Sequence, residues 1–189
     1  DALGSLLLLL MLAPLFALSA LLIKLDSPGP IFFAQERVGL NKRRFKILKF
    51  RTMVNGAERQ QTALEELNEA DGPVFKIKDD PRITKVGKFL RKMSIDELPQ
   101  LWNVLKGDMS LVGPRPVVRD ELEIYGSSAV YYLKSRPGLT GLWQVSGRNQ
   151  IQDFDHWMKL DLQYIDNWSP SLDLKILLRT IPAVLSGKG

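Results

Sequence analysis

An apolar segment at the start of the chain constrains the fold most strongly. No charged residue occurs between Ala2 and Ile23, and a helix of that length would reach about 33 Å, close to the thickness of a membrane's hydrocarbon layer. Pro14 lies near its middle and predicts a kink, because proline lacks the N–H that a continuous helix requires. Two arrangements stay open: a kinked helix that crosses the membrane, and a re-entrant hairpin whose arms enter and leave on one side.

A basic block follows the apolar segment. Seven cations and no acid occur from Arg37 to Arg51, which places this side in the cytoplasm by the positive-inside tendency and favours contact with anionic lipid headgroups. A merely solvated basic face is the alternative. Within the block, Ile31–Arg37 and Phe45–Arg51 are predicted to pair as a short β-hairpin through a turn at residues 39–41.

The composition limits the kinds of site and partner. The chain has 189 residues, no cysteine and a single histidine, His156. Thiolate metal sites and cysteine nucleophiles are therefore excluded, and a histidine-based triad is not expected. The net charge of +5 indicates an anionic partner, which phosphates, nucleic acid or an acidic membrane surface would each satisfy.

Much of the remaining chain shows helical periodicity. Ile83, Val86 and Leu90 recur at helical spacing with lysines between them, which predicts a basic amphipathic helix suited to a membrane surface. Leu172–Leu185 predicts another amphipathic helix, and Asn55–Asp71 predicts an exposed polar helix or a loop. The predicted fold class is mainly α with a small β-hairpin (α+β), with amphipathic surface helices.

An acidic pair near the centre of the chain carries the clearest chemical signal. Asp96 and Glu97 follow Arg91 closely. Ser94 begins an S-x-x-E capping box, and Pro99 is tolerated only in the first turn of a helix, so a helix is predicted to begin near the pair. Carboxylates, a cation and unsatisfied N–H groups together suit a phosphate with a divalent metal. The alternative is that the pair only caps the helix.

Two loops present arginine side chains on a stiff backbone. Arg115 stands between two prolines, and a glycine-rich segment runs from Arg136 to Arg148 with Trp143 inside it. Arginine forks suit phosphate oxygens, and an indole could cover a base or a sugar face. A turn-rich connection with Trp143 in the core is the alternative.

Asp161 interrupts an apolar helical stripe. It follows Phe154 by seven residues and so lies on the same face of the predicted helix. A carboxylate in such a stripe is unfavourable unless it is paired. Asp161 is therefore predicted either to bind a basic partner within the fold or to line a site.

Four motifs occur in a fixed order along the chain. They are Lys49-Phe50-Arg51-Thr52-Met53, Arg91-Lys92-x-Ser94-x-Asp96-Glu97-Leu98-Pro99-Gln100, Gly107-Asp108-Met109-Ser110-x-Val112-Gly113-Pro114-Arg115-Pro116 and Arg136-Pro137-Gly138-x-Thr140-Gly141. Together they resemble the bacterial sugar transferases, the monotopic polyprenyl-phosphate phosphoglycosyl transferases, over nearly the whole chain. The segment from Leu142 to Asn149 is most similar to the hexose-1-phosphate branch, often specific for galactose phosphate.

The resemblance implies a reaction and a topology. The reaction is transfer of a sugar-1-phosphate from a UDP-sugar to undecaprenyl phosphate with release of UMP, through a covalent phosphosugar intermediate and with Mg²⁺. Residues 1–25 are expected to form a re-entrant membrane helical hairpin, and residues 26–189 a catalytic domain on the cytoplasmic face of the bacterial inner membrane. Larger members carry further segments before this unit, and a first residue other than Met fits such a truncation. Ala13 replaces a serine that some members have before the kinking proline, so the kink is expected to be less well fixed.

The resemblance also implies roles for individual residues. Asp96 is expected to be the nucleophile, and Glu97, with Asp96, to hold Mg²⁺. The expected substrate-binding residues are Lys49, Arg51, Arg91, Arg115, Arg136, Arg148 and Asp161. Expected partners are the UDP-sugar, undecaprenyl phosphate and an anionic lipid membrane, whereas nucleic acid is not expected and a homodimer is left open. The rival functions are a non-enzymatic basic protein that binds membranes or nucleic acid, and a metal-dependent phosphatase or other phosphotransferase.

Overall fold

The N-terminal segment forms two helices joined at a bend. The computed structural model describes residues 1–68, 75, 77, 79–126, 128–147 and 154–186. Helix α1 (Ala2–Met11) and helix α2 (Ala13–Asp26) meet at 61°. Pro14 lies in the first turn of α2, where its missing N–H is not needed, so the predicted kink is confirmed. Within the described ranges no single helix is long and apolar enough to cross a bilayer; α1 and α2 reach that length only as a bent pair, which fits a broken span or a re-entrant loop.

The basic block folds as the predicted antiparallel hairpin. Strand β1 (Phe32–Val38) pairs with strand β2 (Arg44–Phe50), with each strand boundary one residue from its expected position. The turn is a single 3₁₀ turn in which Asn41 has a positive φ of 54°. The buried side chains of β2 pack in two directions. Phe45 and Ile47 join a cluster with Val104 and Met109, and Phe50 joins one with Ile23 and Leu90.

Short helices connect the hairpin to the centre of the chain. The polar stretch predicted from 55 to 71 forms two 3₁₀ helices, Ala57–Gln60 and Thr62–Leu67, and residues 69–71 lie outside the described part. Helix α3 (Lys85–Lys92) confirms the predicted amphipathic helix. A 3₁₀ turn (Ile95–Glu97) and helix α4 (Gln100–Leu105) follow it.

The second half of the chain contains a pair of strands that the sequence did not predict. Strand β3 (Ser110–Val112) pairs in parallel with strand β4 (Gly138–Thr140). A Cβ at Gly138 would overlap the backbone nitrogen of Gly113, so the two segments approach as closely as they do because both lack side chains. Over the residues that the structure describes, the fold is therefore mainly α with two small sheets, one antiparallel and one parallel.

Five helices occur in the described residues that follow β3. They are α5 (Arg119–Tyr125), α6 (Ser128–Tyr132), α7 (Leu142–Val145), α8 (Phe154–Asp166) and α9 (Pro170–Leu185). The inner face of α9 buries Ile176 against Val112 and Tyr164. Its other face exposes apolar side chains, among them Leu178 and Ile181, as expected for an amphipathic surface helix.

Candidate active site

The acidic pair lies on the 3₁₀ turn between α3 and α4. The side chain of Asp96 is buried, with 9% of its surface exposed, and the Glu97 side chain is 21% exposed. The predicted capping box is wrong: Ser94 has a left-handed backbone (φ 54°) and makes no side-chain cap bond. A capping residue needs an extended backbone, which the tight turn after α3 does not allow. The longer helix α4 begins only at Gln100, three residues after Glu97.

Lys49 joins the hairpin to the acidic pair. Its Nζ lies 2.8 Å from Oε1 of Glu97, and both side chains are less than one-third exposed. Lys49 lies opposite Phe33 in the hairpin, on the same face as Gln35 and Arg37. The structure therefore brings one predicted substrate-binding cation directly to the predicted catalytic pair.

Arg91 also lies beside the acidic pair. Its Nε donates to Oγ1 of Thr52 at 2.9 Å, which fixes the guanidinium relative to the end of β2. Burial lowers the pKa of Arg91, and the carboxylates of Asp96 and Asp80 oppose this shift. Asp96 is therefore near enough for its charge to act on Arg91, and phosphate binding by Arg91 stays a prediction.

Helix α3 can carry Arg91 to this position because Gly87 has no side chain. A Cβ at Gly87 would overlap the carbonyl oxygen of Thr52. The same oxygen accepts the N–H of Thr84 at 3.0 Å, and the Thr84 side chain caps α3 through the N–H of Gly87 at 3.0 Å. Backbone-to-backbone contact therefore sets the distance between the motif that contains Lys49 and the helix that contains Arg91.

The structure places Arg51 away from this arrangement. Its two terminal nitrogens donate to the carbonyl oxygens of Pro28 at 2.7 Å and Ser27 at 2.8 Å. The side chain is buried and holds the turn that follows α2. Its terminal nitrogens therefore serve the fold, and the expected substrate contact of Arg51 stays a prediction.

Arg115 belongs to a buried polar cluster that also includes Arg37. Nη2 of Arg115 lies 3.1 Å from Oε1 of Glu121, and Nη1 of Arg37 lies 3.8 Å from the other oxygen. Burial lowers the pKa of Arg37 to about 10, with a further contribution from Arg115. Two guanidinium groups therefore share one carboxylate. Sequence reasoning assigned Arg37 only to the basic block, since nothing in its spacing marks it as buried.

Asp161 is the other acid of this cluster. It is 1% exposed, and its Oδ2 accepts the backbone N–H of Arg115 at 3.0 Å and lies 2.8 Å from the Tyr132 hydroxyl. Burial raises the pKa of Asp161 to about 6, although the bonds from Arg115 and Tyr132 oppose this. Of the two predicted settings for Asp161, the structure supports pairing within the fold, with a backbone N–H rather than a basic side chain as the partner.

The raised pKa of Asp161 predicts how stability depends on pH. Because the folded-state pKa of about 6 exceeds the ordinary 3.8, the contribution of Asp161 to stability is present below pH 4 and is lost as the pH rises through 6. Asp161→Asn removes this loss. The free energy of unfolding of the variant, relative to wild type, should therefore increase by about 2 kcal/mol between pH 4 and pH 7, at about 1.4 kcal/mol per pKa unit, because part of the effect is already present at pH 4. Denaturant unfolding at both pH values checks this, and a difference that does not change with pH would contradict it.

The contacts that the structure gives for Arg136 and Trp143 do not include the acidic pair. Arg136 is exposed and lines a cavity of about 250 Å³ at the hairpin turn, together with Arg43 and Asp108; neither member of the acidic pair lines it. Trp143 is half-buried, 5.4 Å from the ring of Trp157. Arg148 lies outside the described residues.

The donor set at the acidic pair fits magnesium of the kind that binds phosphate substrates. No cluster of three or more acidic or histidine side chains suited to a metal occurs in the described part of the chain. Mg²⁺ commonly takes one or two carboxylates, with substrate phosphates and water as its other ligands. Asp96 and Glu97 supply that number of carboxylates, so Mg²⁺ binding there stays a prediction that suits the residues present.

Comparison with known proteins agrees with the motifs. A family model described as bacterial sugar transferase matches residues 1–187. The chain is 48% identical to the exopolysaccharide production protein ExoY of Rhizobium meliloti (strain 1021), over 100% of the chain and 85% of that protein. It is 46% identical to the undecaprenyl-phosphate galactose phosphotransferase of Salmonella typhimurium (strain LT2), over 100% of the chain but 40% of that protein.

A third relative has a different sugar in its name. The chain is 42% identical to the undecaprenyl-phosphate glucose phosphotransferase of Komagataeibacter xylinus, over 96% of the chain and 34% of that protein. The chain thus spans most of a short relative and about a third to two-fifths of two longer ones. The family prediction is confirmed by these matches: the chain belongs to the bacterial sugar transferase family and is a sugar transferase.

Proposed function

We propose that this chain transfers a sugar-1-phosphate, from a UDP-hexose, to undecaprenyl phosphate and releases UMP, as the first membrane-bound step of surface glycan synthesis. The observation that carries the proposal is the position of the buried Asp96 beside Arg91 and beside the Lys49–Glu97 ion pair. The names of the relatives support the lipid carrier and the hexose, since two of them are named undecaprenyl-phosphate galactose or glucose phosphotransferases.

Asp96 would act as the nucleophile in two displacements. In the first, a carboxylate oxygen attacks the β-phosphorus of the UDP-sugar. The bond from that phosphorus to the bridging oxygen breaks, and UMP leaves with the electron pair. In the second, an oxygen of undecaprenyl phosphate attacks the phosphorus of the aspartyl phosphosugar, and the Asp96 carboxylate leaves. Covalent catalysis of this kind divides one difficult substitution into two easier ones.

The neighbouring charges would make attack by an anion on a diphosphate feasible. Arg91 lies where it can hold phosphate oxygens as negative charge shifts towards the leaving group. Lys49 holds Glu97 at 2.8 Å, so the second carboxylate keeps its orientation beside Asp96. Mg²⁺ bound by Glu97 and Asp96 would offset the repulsion between the carboxylate and the diphosphate.

Contacts between the apolar N-terminal segment and the domain that holds the acidic pair support an acceptor that is embedded in lipid. Oδ2 of Asp26, at the end of α2, accepts the N–H of Val86 in α3 at 3.0 Å. Oδ1 of Asp1, before α1, accepts the N–H of Leu111 in β3 at 3.0 Å. Both ends of the α1–α2 pair therefore bind the domain that holds the acidic pair. This supports a re-entrant segment with both ends on the cytoplasmic face of the inner membrane.

Product analysis of the purified protein in lipid nanodiscs tests the proposed function. Repeated turnover, measured as UMP release, should require Mg²⁺, a UDP-hexose and undecaprenyl phosphate together. Release of inorganic phosphate instead would indicate a phosphatase. Salt-sensitive DNA binding without any UMP release would indicate a basic binding protein. Either of the last two results would overturn the proposal.

A further inference from the structure

The loop that carries Arg115 is held from three helices. Asp161 of α8 accepts its backbone N–H at 3.0 Å, and the hydroxyl of Tyr132 of α6 lies 2.6 Å from its carbonyl oxygen. Glu121 of α5 accepts from its guanidinium at 3.1 Å. The guanidinium carbon also lies 5.5 Å from the ring centroid of Trp157, at a distance suited to a cation–π contact. Both the backbone and the side chain of Arg115 are thus held in place.

Because of the two flanking prolines, the hydrogen bond that Asp161 accepts from Arg115 is important for the orientation of the loop. Pro114 and Pro116 have no N–H, so the N–H of Arg115 is the one backbone donor across these three residues. Asp161 takes that donor, and the Tyr132 hydroxyl, which has one proton to donate, lies within hydrogen-bond distance of both Oδ2 of Asp161 and the carbonyl oxygen of Arg115. Without Asp161, the loop would retain its stiff φ angles but would lose the contact that orients it against α8.

We infer that Asp161 is a positioning residue, which with Tyr132 orients the Arg115 loop so that the guanidinium binds the diphosphate of the UDP-sugar. The inference rests on the proposed function and assigns Asp161 an indirect role in place of the substrate contact expected from the sequence. A side chain that is 1% exposed can act on a bound nucleotide only through the residues it holds.

The guanidinium of Arg115 has capacity left for such an anion. It shares the Glu121 carboxylate with Arg37, so neither guanidinium has that acid to itself. Nη1 of Arg115 is buried and has no hydrogen-bond partner among the residues that the structure describes, and an unpaired buried donor is unfavourable. The Arg115 side chain keeps 21% of its surface exposed, and a diphosphate that reaches this exposed part would supply a further acceptor.

Equilibrium binding of UDP, measured by calorimetry on the nanodisc-embedded protein, tests the inference. Asp161→Ala and Tyr132→Phe should each weaken UDP binding, the first about 10- to 100-fold, as expected when an oriented charged contact is lost. Asp161→Asn should retain most of the affinity, because an amide oxygen can accept the same N–H. Asp161→Ala should have little further effect in an Arg115→Ala background, since the residue it positions is then absent.

Asp166→Ala is the matched control. Asp166 also lies on α8 and accepts from a tyrosine hydroxyl, that of Tyr131, at 2.6 Å, but the contact is exposed. The control should bind UDP like wild type. Thermal unfolding of each variant verifies folding, and if Asp161→Ala does not fold, Tyr132→Phe and Asp161→Asn still decide the question.

Three results would overturn the inference. The first is wild-type UDP affinity in folded Asp161→Ala or in Tyr132→Phe. The second is an equal and large loss of UDP affinity in Asp161→Asn and Asp161→Ala, which would indicate that the charge itself contacts the ligand. The third is that the losses of Asp161→Ala and Arg115→Ala add in the double variant. Failure of the proposed function is separate. A wild-type protein that binds UDP and releases no UMP would contradict the transferase proposal and leave the positioning test readable, whereas a wild-type protein that does not bind UDP would overturn both.

Discussion

Asp96→Asn is expected to abolish UMP release, with a loss of at least about a thousandfold. Asparagine has nearly the same shape as aspartate but cannot supply the negatively charged oxygen that attacks phosphorus. Arg91 and the Lys49–Glu97 pair stay in place in this variant, so binding of the donor should persist while both displacements stop. The measurement is single-turnover and steady-state UMP release in nanodiscs.

The control for this variant is Asp79→Asn. Asp79 is a surface carboxylate whose side chain is 78% exposed, paired with Lys88, and its removal should leave the rate of UMP release unchanged. If Asp96→Asn retains more than about a tenth of the wild-type rate, Asp96 is not the nucleophile and the two-displacement mechanism is wrong.

Gly87→Ala is expected to lower the free energy of unfolding by about 3 kcal/mol and to reduce activity with it. The added Cβ would overlap the backbone of Thr52, and overpacking of a close contact is unfavourable by about 1–3 kcal/mol or more. The backbone cannot move aside easily, because the Thr52 carbonyl oxygen holds Thr84 and its hydroxyl holds Arg91. Displacement of α3 would therefore also displace Arg91 from Asp96.

Denaturant unfolding and UMP release measured on the same preparation check this prediction. Lys85→Ala is the matched control, since it places alanine at an exposed position of the same helix, and it should change stability by less than about 0.5 kcal/mol. Wild-type stability and kinetics in Gly87→Ala would show that the contact between Gly87 and Thr52 does not determine the position of α3.

The sequence predicted the local elements well and the long-range contacts less well. The kink at Pro14, the hairpin and helix α3 all follow from periodicity or from proline chemistry, which are properties of neighbouring residues. The β3–β4 pair was missed because strands of three residues have no readable period, and their pairing joins Ser110 to Gly138 across 28 positions. The capping box at Ser94 failed because a four-residue pattern does not specify the φ of its first residue.

The sequence also predicted only the part of the site that local motifs specify. The motifs located Asp96, Glu97, Lys49 and Arg91, and the structure places these four together. Charge alone could not distinguish the other arginines. Arg51 holds a turn, whereas Arg37 joins Arg115 in a buried cluster that no spacing rule would find, because its members come from a strand, a loop and three different helices.

Intact-protein mass spectrometry can detect the proposed covalent intermediate on Asp96. The nanodisc-embedded protein would be incubated with Mg²⁺ and a panel of UDP-sugars, without undecaprenyl phosphate. We expect a mass gain of one phosphosugar with at least one UDP-hexose, absent in Asp96→Asn and lost when undecaprenyl phosphate is added. A wild-type protein that gains no mass with any donor, yet releases UMP once the lipid acceptor is supplied, would contradict the covalent intermediate and indicate direct transfer.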